Sequence, residues 1–410
     1  MLLRQQLSRM LTVLVALAYV YLVVTRRRRF SLPRYLSVGI LAVFLLASLT
    51  SWALTRAPHS LNSLLDIALY PILALLVANL PLSETDHRRA WNAFLVSALA
   101  VSLLGAFLYV AHLHIWSPNP LVANRLNITF ADPNITARFL TLGACAAVLM
   151  FSARQSPSWL AMAAAIGCAV VLPMTWSRSG LALFVICPLI AAGFAFDRRR
   201  ALAIAAVALL AFAVSTTINT DTRDRAAGAV STLVTAVSGQ PVNPASAIPG
   251  SEGVSLADNR VYLVKAGWQM FVDHPVLGVG FGGFQQSMLT TYRYFLPEGY
   301  TDSVSHTSLV TVLAEQGTLG VVLLVSFLLV LAWEAVRSRN RPGRWSFWST
   351  LPATLIIPIF LYSQFEARFL QEPYLWLVLG LHYSARMLAQ REEGAQPALD
   401  RSTAQAAEAA

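Results

Sequence analysis

The stretch that decides the fold class lies at residues 91–111 and reads WNAFLVSALAVSLLGAFLYVA. It contains no charged residue, and a helix of this length, rising about 1.5 Å per residue, crosses a hydrocarbon layer about 30 Å thick. Similar apolar runs recur along the whole chain between charged residues or Pro and Gly. They predict eleven membrane spans, near residues 10–24, 35–55, 61–80, 91–111, 134–151, 158–174, 180–196, 201–218, 318–336, 349–363 and 373–388.

The composition supports the same fold class. Of the 410 residues, 56% are hydrophobic and only 12% are charged, whereas about 25% of the residues in a soluble domain are charged. This excludes a water-soluble globule and predicts an all-α polytopic membrane protein. The three cysteines lie inside apolar runs, so they are predicted to be small buried hydrophobic side chains and neither disulfide partners nor zinc ligands.

The basic residues predict the topology. Lys and Arg number 30 against 20 acidic residues, and the arginines cluster at the ends of apolar runs, at 26–29, 88–89, 198–200 and 337–344. The positive-inside rule places these clusters in the cytoplasm, and this distribution is not that of a nucleic-acid-binding surface. The alternate connections, together with Arg4 and Arg9, are then expected on the opposite, external face.

Four regions are expected along the chain. They are N-terminal membrane helices at 1–218, an external loop at 219–303, C-terminal membrane helices at 304–390, and a tail at 391–410. The loop has five basic and seven acidic residues, a net charge of −2 that fits the external side. The tail is rich in Ala, Glu and Gln, has little to bury, and is expected to be a disordered cytoplasmic end.

Two helices are predicted in and after the loop. Val261, Val264 and Trp268 recur at helical spacing, which predicts an amphipathic helix at the membrane surface that ends near His274. A second helix is expected to begin after Ser303 or Ser305, to carry His306 in its first turn, and to break at Gly317. The glycines at 278–283 superficially match a dinucleotide-binding fingerprint but lack its βαβ context, so they are interpreted as a turn for close packing.

Several charged or polar residues on the predicted external face could carry chemistry. Arg178 lies at the outer mouth between two spans, where an unpaired guanidinium at hydrocarbon depth costs several kcal/mol, so it is expected to bind an anion. Arg260 opens the amphipathic helix, and a guanidinium matches two phosphate oxygens at once. Arg138, one helical turn after Asn134, either joins them or pairs with a carboxylate such as Asp66 or Asp132.

His306 is the candidate base. A histidine near neutral pKa can accept a proton from a hydroxyl nucleophile, although a lone histidine more often has a structural role. The external face has no Asp, Glu and His cluster with evident metal-ligand spacing. The sequence therefore predicts no metal and no other cofactor.

The motifs resemble those of the O-antigen ligase and polymerase superfamily. The resemblance rests on Arg260 with Trp268, the run HPVLGVGFGGF at 274–284, and His306 followed by EQGTLG at 315–320. The runs DPN at 132–134 and SRSG at 177–180 are similar to its other two external motifs. Thr307 stands where the family commonly has asparagine, so no role is transferred to that position. The resemblance implies a GT-C-like fold with eleven or twelve membrane helices and a long periplasmic loop.

The resemblance also implies an activity, namely transfer of a glycan from undecaprenyl diphosphate to a sugar hydroxyl of lipid A-core. The reaction would take place at the periplasmic face of a bacterial inner membrane, with lipid-linked O-antigen, lipid A-core and membrane lipids as partners. Arg178 and Arg260 would hold the diphosphate and oppose the charge that grows on it. His306 would orient or deprotonate the acceptor hydroxyl, and direct displacement would invert the anomeric centre.

Three alternatives remain open from the sequence. An O-antigen polymerase and a protein O-oligosaccharyltransferase would use the same donor chemistry, and the long loop with no large C-terminal soluble domain favours a ligase over the protein-modifying enzyme. A transporter of lipid-linked glycans would need ionisable groups near the bilayer midplane. Asp66 is the best such feature, and it is expected to pair with an outer-face arginine instead.

Overall fold

The computed structural model of the chain is a bundle of α-helices. The structure describes residues 2–27, 30–56, 60–113, 125–130, 132–219, 222–223, 256–296, 303–341, 343–366 and 368–408; of these, the side chains of 2–8, 256–260 and 394–408 lie outside the description. These ranges contain thirteen α-helices: α1 (Leu2–Val24), α2 (Leu36–Thr55), α3 (Leu61–Ala78), α4 (Glu84–Val110), α5 (Pro133–Ser152), α6 (Ser158–Val171), α7 (Arg178–Phe194), α8 (Arg198–Ile218), α9 (Leu256–Asp273), α10 (Phe284–Leu289), α11 (Ser308–Arg339), α12 (Trp345–Glu366) and α13 (Pro373–Glu408).

Each of the eleven predicted spans coincides with one of these helices, α1–α8 or α11–α13. Eight of the described helices are long and apolar enough to cross a membrane; α6 reaches this length with the 3₁₀ turn Leu172–Thr175 that continues it. The apolar part of α1 and the whole of α7 are shorter. The prediction of an all-α polytopic membrane protein is confirmed.

Helices α5 and α12 form the centre of the bundle. Of the most apolar window in each of these helices, 83% is buried, against 17% for the peripheral α2. Small residues allow the close approach, because a Cβ added at Gly143 of α5 would lie only 2.8 Å from Ala98 of α4. Cys145, Cys168 and Cys187 are buried and free, as predicted.

The loop helix α9 matches the predicted amphipathic helix, since it ends at Asp273, directly before His274. Its apolar stripe is exposed, with Val261, Val264 and Trp268 at 50%, 43% and 57% exposure. The opposite face is buried through Tyr262, Leu263, Ala266 and Met270, in one cluster with Ala314 of α11. The orientation suits a helix that rests on the bundle by one face and offers an apolar stripe outward.

Two expectations about helix ends are corrected. His306 lies two residues before α11 and not in its first turn, because Ser305 Oγ accepts a hydrogen bond from Thr307 N and donates one to Thr307 O, which holds this segment outside the helix. The expected disordered tail is helical to Glu408. Ala, Gln and Glu favour helix, and extending α13 requires no new nucleation. The break predicted at Gly317 is confirmed by its φ of 60° and ψ of −154°.

Candidate functional site

The first turns of α5 and α7 are joined by side-chain hydrogen bonds. Asp132 caps α5, because its Oδ1 accepts from Asn134 N at 2.7 Å. Ser177 caps α7 by accepting from Gly180 N at 3.1 Å, and the same hydroxyl donates to Asn134 Oδ1 at 2.8 Å. The two N-terminal ends therefore lie side by side, and Arg178 begins α7 at this junction.

Arg178 is half-buried and, among the described residues, makes no ion pair. Its guanidinium belongs to the first turn of a helix, where unpaired backbone N–H groups also favour negative charge. A second arginine, which the sequence interpretation missed, lies close by. Arg125 donates to Asn134 Oδ1 from Nη2 and to Thr175 O from Nε, both at 3.0 Å. The signal for it was available, since Arg125 is the only arginine or lysine in the connection at 112–133.

Arg138 is buried in an ion-pair cluster. It is 1% exposed, its Nη2 lies 2.7 Å from Glu372 Oε1, and its Nη1 lies 3.1 Å from Glu366 Oε2. The ring of Tyr374 lies 5.1 Å from the guanidinium. Pairing with a carboxylate was one of the two roles expected for Arg138, but the partners are neither Asp66 nor Asp132. Glu366 is the last residue of α12, and Glu372 lies in the connection that follows it, directly before α13.

Asp66 has its own partner. Arg9 Nη2 lies 2.7 Å from Asp66 Oδ1, with the side chains 12% and 3% exposed. This confirms the expected pairing with an arginine assigned to the outer face. The carboxylate is therefore compensated within the protein, and the main sequence feature that favoured a transporter has a structural explanation.

The segment before α11 reaches the same end of the bundle. Ser308 Oγ lies 2.7 Å from Ser363 Oγ of α12, and Leu309 N donates to Gln364 Oε1 at 3.3 Å. Glu366, two residues further along α12, is the partner of Arg138. We call the place where the first turns of α5, α7 and α11 meet the last turn of α12 the site end of the bundle. His306, which is half-buried, lies two residues before α11 at this end.

Helix α9 runs parallel to α11. A Cβ at Gly267 of α9 would lie 2.5 Å from Val310 of α11, and further along both segments Thr318 Oγ1 donates to Pro275 O at 2.8 Å. Both pairs are separated by the same 43 residues. Arg260 lies seven residues before Gly267 on α9, and its side chain lies outside the described residues.

A glycine turn, Gly278–Gly283, attaches the loop to the bundle. Glu315 of α11 accepts hydrogen bonds from Gly282 N at 2.9 Å and from Phe284 N at 3.1 Å. Gly278 has a φ of +66°, and a Cβ there would lie 2.3 Å from the carbonyl carbon of Glu315. The interpretation as a turn for close packing is confirmed, because only glycine fits both this conformation and this approach.

The far side of the loop is held by a tyrosine. Tyr292 donates from its hydroxyl to Asp273 Oδ2 at 2.8 Å. Burial, reinforced by the hydrogen bond to Asp273, raises the pKa of Tyr292 to about 12, so the phenol keeps its proton at neutral pH. The end of α9 is therefore fixed at two places, by Tyr292 and by the glycine turn.

Together these features define a polytopic helical membrane protein with cationic and imidazole groups at one end of its bundle. Residues 161–325 match the family model described as O-antigen ligase. This range runs from α6 into α11 and contains Arg178, Arg260, His306 and the glycine turn. This match supports assignment of the chain to the O-antigen ligase family and agrees with the resemblance of its motifs. No curated protein matches the chain. The match supports, in general terms, a glycosyltransferase-like function of the O-antigen ligase or polymerase type.

Proposed function

We propose that this protein is an O-antigen ligase of the bacterial inner membrane. It transfers a glycan en bloc from undecaprenyl diphosphate to a sugar hydroxyl of lipid A-core, at the periplasmic face and without a metal ion. The observation that carries the proposal is the convergence at the site end of the bundle. Arg178 lies there in the first turn of α7, which hydrogen bonds connect to α5, and it makes no ion pair among the described residues. The segment that carries His306 lies at the same end, because the start of α11 is hydrogen-bonded to the last turns of α12.

The arginines act on the leaving group. Transfer of a sugar builds positive charge at the anomeric carbon and negative charge on the departing diphosphate. Arg178, the first turn of α7 and Arg260 oppose the negative charge as it grows, so they stabilise the transition state more than the bound donor. Removing one such preorganised group typically costs about 10²–10³ in kcat.

His306 acts on the acceptor. The imidazole accepts a hydrogen bond or a proton from the acceptor hydroxyl while that oxygen attacks the anomeric carbon from the face opposite the diphosphate. Attack on one face and departure from the other invert the anomeric centre. Arg138 has a structural role beside the site. Its charge is already paired with Glu366 and Glu372, so it does not act on the leaving group.

Purified protein, lipid-linked donor and lipid A-core acceptor provide the direct test. Arg178→Ala should lower transfer by about 10²-fold or more. Arg198→Ala is its matched control, since Arg198 also follows a helix cap as the first residue of a helix but is exposed and belongs to a predicted cytoplasmic cluster. Normal transfer by Arg178→Ala would contradict the assignment of this arginine.

His306→Asn tests the acceptor role. We expect kcat to fall while donor binding stays unchanged, because the histidine touches the acceptor and not the diphosphate. His112→Asn is the control, since His112 is exposed and has a left-handed φ of 53° that asparagine tolerates. Near-normal turnover of His306→Asn would refute the role as base.

A cellular test separates the ligase from its alternatives. Deleting the gene should leave lipid A-core unmodified while polymeric lipid-linked O-antigen accumulates. Loss of polymerisation with the core still capped by single repeats would identify a polymerase instead. Transport of lipid-linked glycan by purified protein, without any transfer, would identify a transporter.

A further inference from the structure

A cavity of about 620 Å³ lies between α3, α4, α5, α12 and α13. This volume falls within the range of about 300–1,000 Å³ that is usual for ligand pockets. Most of its wall is aliphatic or aromatic, with Trp91, Phe94, Phe139 and Leu355 among the lining residues. Charged residues, Arg138 and Glu372 among them, line the cavity as well. The wall therefore suits an amphiphile that has one polar end and one apolar chain.

The polar end of the cavity adjoins the candidate site. Phe130 and Ile135 both line the cavity, and Ile135 directly follows Asn134, which accepts the hydrogen bond from Ser177 beside Arg178. Arg138 also lines this end, and its buried Nε has no hydrogen-bond partner among the described residues. An oxygen of a bound molecule could accept from this nitrogen.

The other end of the cavity lies near the start of α4, where Ala90 is exposed. A Cβ at Gly105 of α4 would lie 2.6 Å from Ile128, which places Gly105 near the site end. Ala90 lines the cavity and precedes Gly105 by fifteen residues of α4, about 22 Å along the helix. Two further lining residues, Leu80 and Leu377, are 38% and 43% exposed, so the cavity also reaches the outer surface of the bundle.

We infer that this cavity binds the isoprenoid carbons nearest the diphosphate of a polyprenyl-diphosphate-linked glycan. The inference rests on the proposed function and adds to it the place where the lipid chain of the donor lies. A diphosphate held at Arg178 has its first carbons at the mouth formed by Phe130 and Ile135. The chain then follows the apolar wall toward Ala90, and its remainder leaves through the exposed side into the bilayer.

The test compares two donors that carry the same glycan, one on the full-length polyprenyl chain and one on a chain of two isoprene units. Ala90→Phe places a ring at the end of the cavity far from the candidate site, where only the longer chain reaches. For the long donor we expect kcat/KM to fall roughly tenfold or more, since each CH₂ group that loses its burial weakens binding. For the short donor we expect no change, which also shows that the variant is folded. Ala100→Phe, on an exposed part of α4 outside the cavity, should affect neither donor.

The outcomes separate this inference from the function on which it rests. If the unmodified protein transfers glycan from neither donor, the proposed function fails. If it transfers from both, but Ala90→Phe slows both equally or neither, the cavity does not hold the chain and the inference is overturned. It is also overturned if Ala90→Phe releases a co-purified phospholipid, seen by native mass spectrometry, without changing the preference for chain length, because an acyl chain is then the occupant.

Discussion

Replacing Glu315 by glutamine tests whether the glycine turn is held by a carboxylate. In the structure both oxygens of Glu315 accept backbone hydrogen bonds, at 2.9 Å from Gly282 N and 3.1 Å from Phe284 N. Hydrogen bonds to a charged group contribute about 1.5–3 kcal/mol each. Glutamine retains one neutral acceptor and turns a donor toward the second N–H. The docked turn should therefore lose about 2 kcal/mol or more, which corresponds to a roughly 30-fold larger open population.

Hydrogen exchange measured by mass spectrometry reads this opening directly. In Glu315→Gln, peptides that cover residues 278–284 should exchange roughly 30-fold faster than in the unmodified protein. Transfer activity should fall as well, because the turn holds the loop against α11. Glu334→Gln is the matched control: Glu334 is also buried and on α11, but it lies beyond the break at Gly317 and accepts from Ser37 Oγ.

Unchanged exchange at 278–284 in Glu315→Gln would refute this reasoning. The turn would then be held by the close backbone packing of its glycines, and the carboxylate would be dispensable. Faster exchange in Glu334→Gln at the same peptides would also count against it, because any buried charge change on α11 would then loosen the loop.

Three further outcomes are expected. Gly278→Ala should destabilise the protein by about 3 kcal/mol, measured by unfolding in detergent, because the residue has a positive φ and the added Cβ would overlap the backbone of α11. Gly39→Ala is the control and should leave stability unchanged, because a Cβ there meets nothing within 4 Å. Arg138→Leu should cost about 3–5 kcal/mol, since it leaves two buried carboxylates uncompensated, while Arg89→Leu on an exposed pair should change stability little. EDTA should leave transfer by the purified protein unchanged, and a loss that Mg²⁺ or Mn²⁺ restores would show that a metal takes part.

The membrane helices were predictable because their signal is local. A span requires only a run of apolar residues and a break, and both can be read within about 20 residues of sequence. The break at Gly317 and the end of α9 at Asp273 were predictable for the same reason, since glycine and proline interrupt helices through their own backbone properties.

Partners that are distant along the chain were not predictable in this way. Arg138 pairs with Glu372, 234 residues away, and nothing in the local pattern distinguishes that carboxylate from Asp66 or Asp132. Arg125 was missed because its position at the site depends on Asn134 and Thr175, which only the folded bundle brings to it. The start of α11 depends on hydrogen bonds among residues 305–307. Other serines and threonines in this segment could form similar bonds, so the local sequence does not show at which residue the helix begins.

The motif residues that carried the family resemblance divide into two groups in the structure. Gly278 and Glu315 bind the loop to α11 through backbone contacts and hydrogen bonds, whereas Arg178 and His306 lie at the site end of the bundle. Loss of activity alone therefore does not identify a catalytic residue in this protein, because a loosened turn also frees the end of α9, the helix that carries Arg260. Hydrogen exchange at 278–284 separates the groups: it should rise in variants of the first and stay unchanged in Arg178→Ala and His306→Asn. If Arg178→Ala also accelerated exchange there, its effect on transfer would have to be assigned to the packing of the bundle and not to the diphosphate.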